Sequence, residues 1–231
     1  MAEQKTLDQF ENKIGVKFNN KKLLRQAFIH RSYLNENVGL DLDHNERLEF
    51  LGDAVLELIV TEYLYQKYKN PEGELTNWRA ALVKRPTLAS VAKDLSIGDY
   101  LFLSKGEQKT GGKSRELILA NTFEALLGAL YLDQGFTTST AFVKKHLLSK
   151  LKNVLDKKLY IDPKSRLQEM AQESVNVTPI YKVLAEYGPD HSKSFTVGVY
   201  VKDKLIGQGS GSSKQSAEQS AATSALENWK E

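Results

Sequence analysis

The segment His44-Asn45-Glu46-Arg47-Leu48-Glu49-Phe50-Leu51-Gly52-Asp53-Ala54-Val55-Leu56 sets Glu46, Glu49 and Asp53 at offsets of zero, three and seven. In an α-helix those offsets stack three carboxylates along one side. The surrounding residues, Leu48 to Val60, are apolar nearly all the way round. Leu48, Leu51, Val55 and Leu58 form the expected core side, while Phe50, Leu56 and Val60 flank the carboxylates. A helix that is apolar all round is buried, and a buried carboxylate is costly without a compensating positive charge. No Lys follows at a pairing offset, and the nearest base is Arg47. Three outcomes are open to such a stripe: a bound metal ion, structural ion pairs, or a solvated face.

A second acidic position lies in the apolar stretch Glu116–Leu132, where Asn121 precedes Glu124 by three residues on the same helical side. Gly128 follows one turn later, and a glycine inside a helix costs stability unless it permits close packing. Glu124 is therefore expected to face another helix at short range, either as a metal ligand or bonded to an Arg or to backbone. Two acidic helices in one domain favour the metal. Oxygen donors with no Cys or His cluster suit Mg²⁺ or Mn²⁺ better than zinc. Glu72, in Pro71-Glu72-Gly73-Glu74-Leu75, reads from its position alone as favourable charge at a helix N-terminus.

Two glycine-rich runs mimic phosphate-binding motifs and fail on spacing. Gly106 to Lys113 contains one residue too many for a P-loop and follows no buried strand, so it reads as a mobile basic loop. Gly207-Gln208-Gly209-Ser210-Gly211 lacks the last glycine of a dinucleotide fingerprint and follows no βαβ pattern. It does lead into Ser212-Ser213-Lys214-Gln215, the start of a helix, where free N–H groups and Lys214 would favour a phosphate.

The elements that must position these residues fall into two regimes. Up to about Leu159 the patterns are helical: Leu7–Ile14, Lys21–Phe28, Glu46–Tyr68, Glu74–Val83, Pro86–Leu95, Ser114–Tyr131 and Thr138–Leu155. After a short break the grammar changes. Ser165–Ser174 reads as a helix, and Pro179–Tyr187, Lys193–Val201 and Leu205–Gly209 as strands. Lys202-Asp203-Lys204 reads as a turn and Ser212–Trp229 as an Ala-rich closing helix. The expected fold is multidomain, an all-α domain followed by a small α+β unit of order α-β-β-β-α. With 231 residues, 41% of them hydrophobic, the chain has material for both. It has no cysteine, which excludes disulfides, thiolate metal sites and a Cys nucleophile. The polar start, Met1 to Phe10, lacks a signal-peptide apolar region, and no apolar run is long enough to span a bilayer. A cytoplasmic protein is expected. A net charge of +3 is too small to identify a partner.

His44–Leu56 is similar to the signature of bacterial ribonuclease III, and the resemblance extends over almost the whole chain. His30-Arg31-Ser32-Tyr33, Pro71 to Leu75, Glu124-Ala125-Leu126 and Tyr131-Leu132-Asp133 fall in that family's order. The C-terminal unit resembles a double-stranded-RNA-binding domain through Asp162 to Glu169, Gly188-Pro189-Asp190-His191, Gly207 to Lys214 and Ala217 to Ala222. The resemblance implies a nuclease domain over 1–156, a linker over 157–162 and the RNA-binding domain over 163–231. It further implies a Mg²⁺-dependent endoribonuclease, a homodimer through the nuclease domain, cutting RNA duplexes to 5′-phosphate and 3′-hydroxyl ends, with ribosomal RNA precursors and other structured RNAs as substrates. By motif position Glu49, Asn121 and Glu124 would hold metal, and Asp53 with Glu124 would be catalytic, Asp53 positioning the attacking water. Glu46 and Glu72 would be further acidic cleft positions. Gln168, Glu169, Gln172 and His191 would contact the minor groove, and Ser213 and Lys214 the phosphates. Two departures stand out. Where many such domains carry three basic residues, this chain has Lys214, Gln215 and Glu218. Where the family usually has a metal-ligating Asp, it has Asn121, which keeps a carbonyl oxygen and loses the charge. A cleavage-impaired duplex-binding protein is therefore the alternative expectation.

Overall fold

The computed structural model describes residues 6–37, 39, 43–156, 160–189 and 193–229. The chain separates into two compact units, Met1–Tyr160 and Ile161–Glu231. Of the expected linker, residues 157–159 lie outside the described residues, while the Tyr160 ring sits edge-on to Trp78 in the first unit, 6.0 Å between centroids.

The first unit is built from helices α1 (Leu7–Ile14), α2 (Lys21–Ala27), α3 (Arg31–Glu36), α4 (Glu46–Lys67), α5 (Glu72–Val83), α6 (Arg85–Asp94), α7 (Lys105–Lys109), α8 (Glu116–His146) and α9 (Leu151–Asp156). Among the described residues its one piece of extended pairing is a single parallel bridge between Ile29 and Phe102. The core forms where α4 packs on α8, with Leu56, Ile59 and Val60 buried against Phe123, Leu126, Leu127 and Leu130. Helix α6 covers another side of α8. The α8 surface also anchors the N-terminal helices: the Asp133 carboxylate accepts the Asn19 and Asn20 backbone N–H groups at 2.8 Å each. Among the described residues no helix is long and apolar enough to cross a membrane.

Three sequence expectations change here. Helix α4 is not buried all round: Leu58 is 58% and Phe50 82% exposed. Its core side is Leu48, Gly52, Val55, Leu56, Ile59, Val60 and Leu64. The buried arc is rotated because α8 approaches over Gly52, the residue with no side chain, rather than over Leu51 and Leu58. The two helices expected over 114–155 are instead α8, broken in its backbone at Gly135 (φ 78, ψ −173), then a 3₁₀ turn and α9. The expected mobile loop Gly106–Ser114 is ordered as α7 and a 3₁₀ turn at Gly112–Ser114. The Ser104 hydroxyl caps the Glu107 N–H at 3.1 Å, and Arg115 pairs with Glu107 at 2.5 Å. Helix α3 is an addition. It starts at His30, whose imidazole accepts the Ser32 N–H, so this motif organises backbone.

The second unit runs α10 (Pro163–Val175), β1 (Ile180–Tyr187), β2 (Ser194–Val201), β3 (Lys204–Gly211) and α11 (Lys214–Asn228), with an antiparallel sheet in the order β1-β2-β3. The two-residue turn at Lys202 and Asp203 has positive φ at both positions (49° and 61°), the geometry that matches strand twist in a tight hairpin. Val197 and Val199 face the helices and pack on Leu167, Ala217, Ala221, Ala222 and Ala225. The glycine run that failed as a dinucleotide motif has a packing role. A Cβ on Gly207 would lie 2.5 Å from the Ala221 carbonyl oxygen, and one on Gly209 only 2.2 Å from the Ala221 nitrogen. Strand β3 is glycine on its inner face so that α11 can lie on its backbone.

Candidate metal centre and nucleic-acid interface

Helices α4 and α8 cross in backbone contact. A Cβ on Gly52 would lie 1.8 Å from the Glu124 carbonyl oxygen, and one on Gly128 would lie 2.2 Å from the Leu48 carbonyl oxygen. No real side chain fits at either point, so the crossing is fixed by two glycines one turn from the acidic residues. Glu124 thus faces another helix at short range, as its neighbour Gly128 implies. The start of α4 is held separately: buried Asn45 donates from its side chain to the Ala27 carbonyl at 3.2 Å, and its own N–H bonds to the Ile29 carbonyl at 2.9 Å.

This crossing gathers Glu49 and Asp53 from α4 with Asn121 and Glu124 from α8. Glu49 is half-buried, and burial pushes its carboxyl above the ordinary value. A hydrogen bond from the Asn121 amide opposes that shift, and the charges of Glu46 and Asp53 reinforce it. Glu124 is pushed up to about 7, first by burial and then by Asp53 and Glu49, with Arg85 opposing. Asp53 is exposed. The chain has folded like charges together beside an apolar core, where unscreened repulsion is costly.

The outlying acidic positions behave differently. Glu46 is exposed at the first turn of α4, 3.5 Å from Arg31 and 3.9 Å from His44. The ion-pair outcome therefore applies to this one carboxylate, through Arg31 rather than the adjacent Arg47. Glu72 opens α5, accepts a hydrogen bond from the Thr76 hydroxyl at 3.2 Å, and lines a groove with Thr61, Tyr65 and Arg79. It is not among the groups whose charge reaches Glu49 or Glu124. Arg85, the first residue of α6, carries no signal of its own in the sequence. Its charge reaches Glu124 because α6 packs on α8, and no local spacing announces that.

Among the described residues no three His, Cys, Asp or Glu side chains converge closely enough to hold a metal ion. The donor set nevertheless fits a hard divalent cation: three carboxylates and one amide oxygen, with charge repulsion that a cation would relieve. Mutual repulsion is also a physical reason for the carboxylates to stay apart when no cation draws them in.

In the second unit Gln168, Glu169 and Gln172 are all exposed on α10, and the Gln172 amide bonds to Asn176. His191 lies outside the described residues. Ser213 caps α11, its hydroxyl accepting the Ser216 N–H at 3.1 Å. Lys214 stands at the same helix start, 3.6 Å from Glu186 and 5.7 Å from the centre of the Phe195 ring. Glu218, which occupies a position often basic in such domains, is paired with Lys164 of α10 at 2.7 Å. Its negative charge is thereby neutralised by a lysine that stands 54 residues away in sequence.

Comparison with known proteins gives two family matches: Ribonuclease-III-like over residues 20–151 and Double-stranded RNA binding motif over residues 163–228. The chain is 48% identical to a protein named Ribonuclease 3 of Desulforamulus reducens, over 95% of this chain and 90% of that protein. It is equally 48% identical to Ribonuclease 3 of Oceanobacillus iheyensis, over 94% and 95%. Among solved structures, a nuclease domain of ribonuclease III from Campylobacter jejuni, described for flexibility in a region involved in dimer formation, superposes with a TM-score of 0.58. It is 37% identical and covers 62% of this chain and 97% of that one. The helical unit, the α-β-β-β-α unit and these matches agree, and the chain belongs to the ribonuclease III family, an endoribonuclease with a C-terminal double-stranded-RNA-binding domain.

Proposed function

We propose that this endoribonuclease cleaves double-stranded RNA with Mg²⁺, for which Mn²⁺ can substitute, leaving 5′-phosphate and 3′-hydroxyl ends. The observation that carries the reading is the α4–α8 crossing, which holds Glu49, Asp53, Asn121 and Glu124 together at a cost that a cation relieves. Glu49, Asn121 and Glu124 hold the metal, which when bound supplies charge stabilisation and a more acidic attacking water. Asp53, exposed at the edge of the cluster, orients that water by accepting its hydrogen bond. The water oxygen bonds to phosphorus, the bond to the 3′ oxygen breaks, and that oxygen takes up a proton. Glu46 and Glu72 line the surrounding cleft, and Arg31 limits the repulsion Glu46 exerts on the RNA.

The enzyme acts as a homodimer through the nuclease domain, each protomer supplying one centre so that opposite strands are cut. Phe50, 82% exposed, lines a groove with Leu23, Gln26, Leu51 and Leu132, and Leu132 is itself 54% exposed. Apolar groups so exposed beside the centre are best explained by a partner surface, and the Campylobacter relative is described as dimer-forming. The second domain reads duplex shape, with Gln168, Glu169, Gln172 and His191 in the minor groove and Ser213 and Lys214 on phosphates. Substrates are ribosomal RNA precursors and other structured RNAs, and the site of action is the cytoplasm.

A cleavage assay on a perfect RNA duplex under Mg²⁺ titration tests this reading. Asp53→Asn is expected to lower cleavage by at least about 100-fold while leaving duplex binding intact. Equal loss of both would assign Asp53 a structural role. Asn121 supports a second reading, a duplex-binding protein with impaired cleavage. No cutting at any Mg²⁺ or Mn²⁺ concentration, with activity restored by Asn121→Asp, would establish it and sink the first.

A further inference from the structure

Lys214 and Glu218 stand four residues apart on α11, so they share a helix face and lie within reach of each other. Each instead turns to another element of the second unit. Lys214 approaches Glu186 of β1 at 3.6 Å, and Glu218 pairs with Lys164 of α10 at 2.7 Å. The two pairs differ in kind. Lys214 is exposed, and its contact is a long surface pair of little strength. Lys164 and Glu218 are half-buried, and the Lys164 ammonium also lies 4.7 Å from the centre of the Tyr181 ring. A cation–π contact thus holds the same group from a second side. The pair borders a pocket with an acidic bias. Among the described residues the buried Tyr181 hydroxyl has no hydrogen-bond partner, and burial, then Glu218 and Asp162, push that phenol up to about 12. Leu167 packs with Ala217, Ala221 and Ala222 to join α10 to α11, so the helices do not depend on the ion pair to stay together. What the pair contributes is charge cancellation one turn from Lys214.

We infer that Lys164 is a positioning residue for duplex binding: by holding Glu218, it keeps that carboxylate from competing with RNA phosphate for Lys214. The inference rests on the proposed phosphate contact at Ser213 and Lys214. It explains how the second unit carries an acidic residue where such domains are often basic. Without Lys164, Glu218 would be left with Lys214 as its neighbour one turn away, and the helix start would offer phosphate a partly neutralised cation.

Binding of a perfect RNA duplex by the full chain, measured in EDTA across a salt series, tests this. Lys164→Met removes the charge and keeps an apolar stem against Tyr181. It is expected to weaken binding by about threefold to tenfold at low salt, and by less as salt screens the charges. Lys164→Met/Glu218→Gln is expected to bind as the parent does, because the competing carboxylate has gone. A double variant as weak as Lys164→Met overturns the inference, since Lys164 would then act on RNA directly. Lys164→Met with parental affinity overturns it as well. If Lys164→Met does not fold, Lys164→Gln takes its place with the same expectations, since its amide can bond to Glu218 without cancelling the charge. Lys214→Ala separates this inference from the reading beneath it. Parental affinity in Lys214→Ala overturns the phosphate contact at α11 and the inference with it. Weakened Lys214→Ala beside an unaffected Lys164 variant overturns the role of Lys164 alone.

Discussion

Glu124 has a charge state strongly shaped by its surroundings. Burial, Asp53 and Glu49 together raise its carboxyl from 4.5 to about 7, and Arg85 opposes them. The folded, metal-free protein therefore binds a proton at Glu124 more tightly than the unfolded chain does. The stabilisation this gives is complete below the unfolded value of 4.5 and is lost as pH rises through about 7. In EDTA, the Tm of the parent should fall between pH 5 and pH 8 relative to Glu124→Gln, which has no such proton to lose. A parallel course for the two proteins would show that Glu124 is not perturbed. Saturating Mg²⁺ should flatten the difference, because a cation stabilises the deprotonated form.

At the scale of elements, the decisive feature is two helices touching through glycine. Gly52→Ala or Gly128→Ala would place a methyl group inside the backbone of the opposite helix. Each is expected to cost roughly 3 kcal/mol of stability and to separate Glu49 from Asn121, which denaturant unfolding and cleavage measured side by side would show. Unchanged stability would mean the crossing is looser than its geometry. Much of this arrangement is legible in the residues. The spacing of Glu46, Glu49 and Asp53, and the unusual Gly128 beside Glu124, point to two acidic helices meeting closely. The buried arc of α4 is not legible: four leucine and valine positions suggest one core side, while the space at Gly52 selects another and leaves Phe50 and Leu58 in solvent. The influence of Arg85 on Glu124 and the pairing of Lys164 with Glu218 are also invisible, because each arises from packing between helices distant in sequence. The α7 region reads as a loop because its order comes from the Arg115–Glu107 pair and the Ser104 cap rather than from periodicity.

At the scale of the whole molecule, the proposed function depends on assembly into a dimer. Phe50 and Leu132 leave apolar surface exposed beside the centre, so Phe50→Arg is expected to yield monomers by sedimentation and to reduce duplex cleavage sharply. Duplex binding by the second domain should survive. A dimeric Phe50→Arg protein would place the interface elsewhere. The RNA-binding unit shows a complementary economy in its bed of β3 glycines under the alanines of α11. Glycine and alanine have no side-chain rotamers to immobilise, so this contact forms without the side-chain entropy loss that leucines or methionines would incur. The N-terminus of α11, with Ser213 and Lys214, thus rests on a contact with almost no internal freedom. The phosphate proposed to bind there would meet backbone N–H groups whose positions were fixed when the domain folded, so little of the binding free energy would be lost to ordering them.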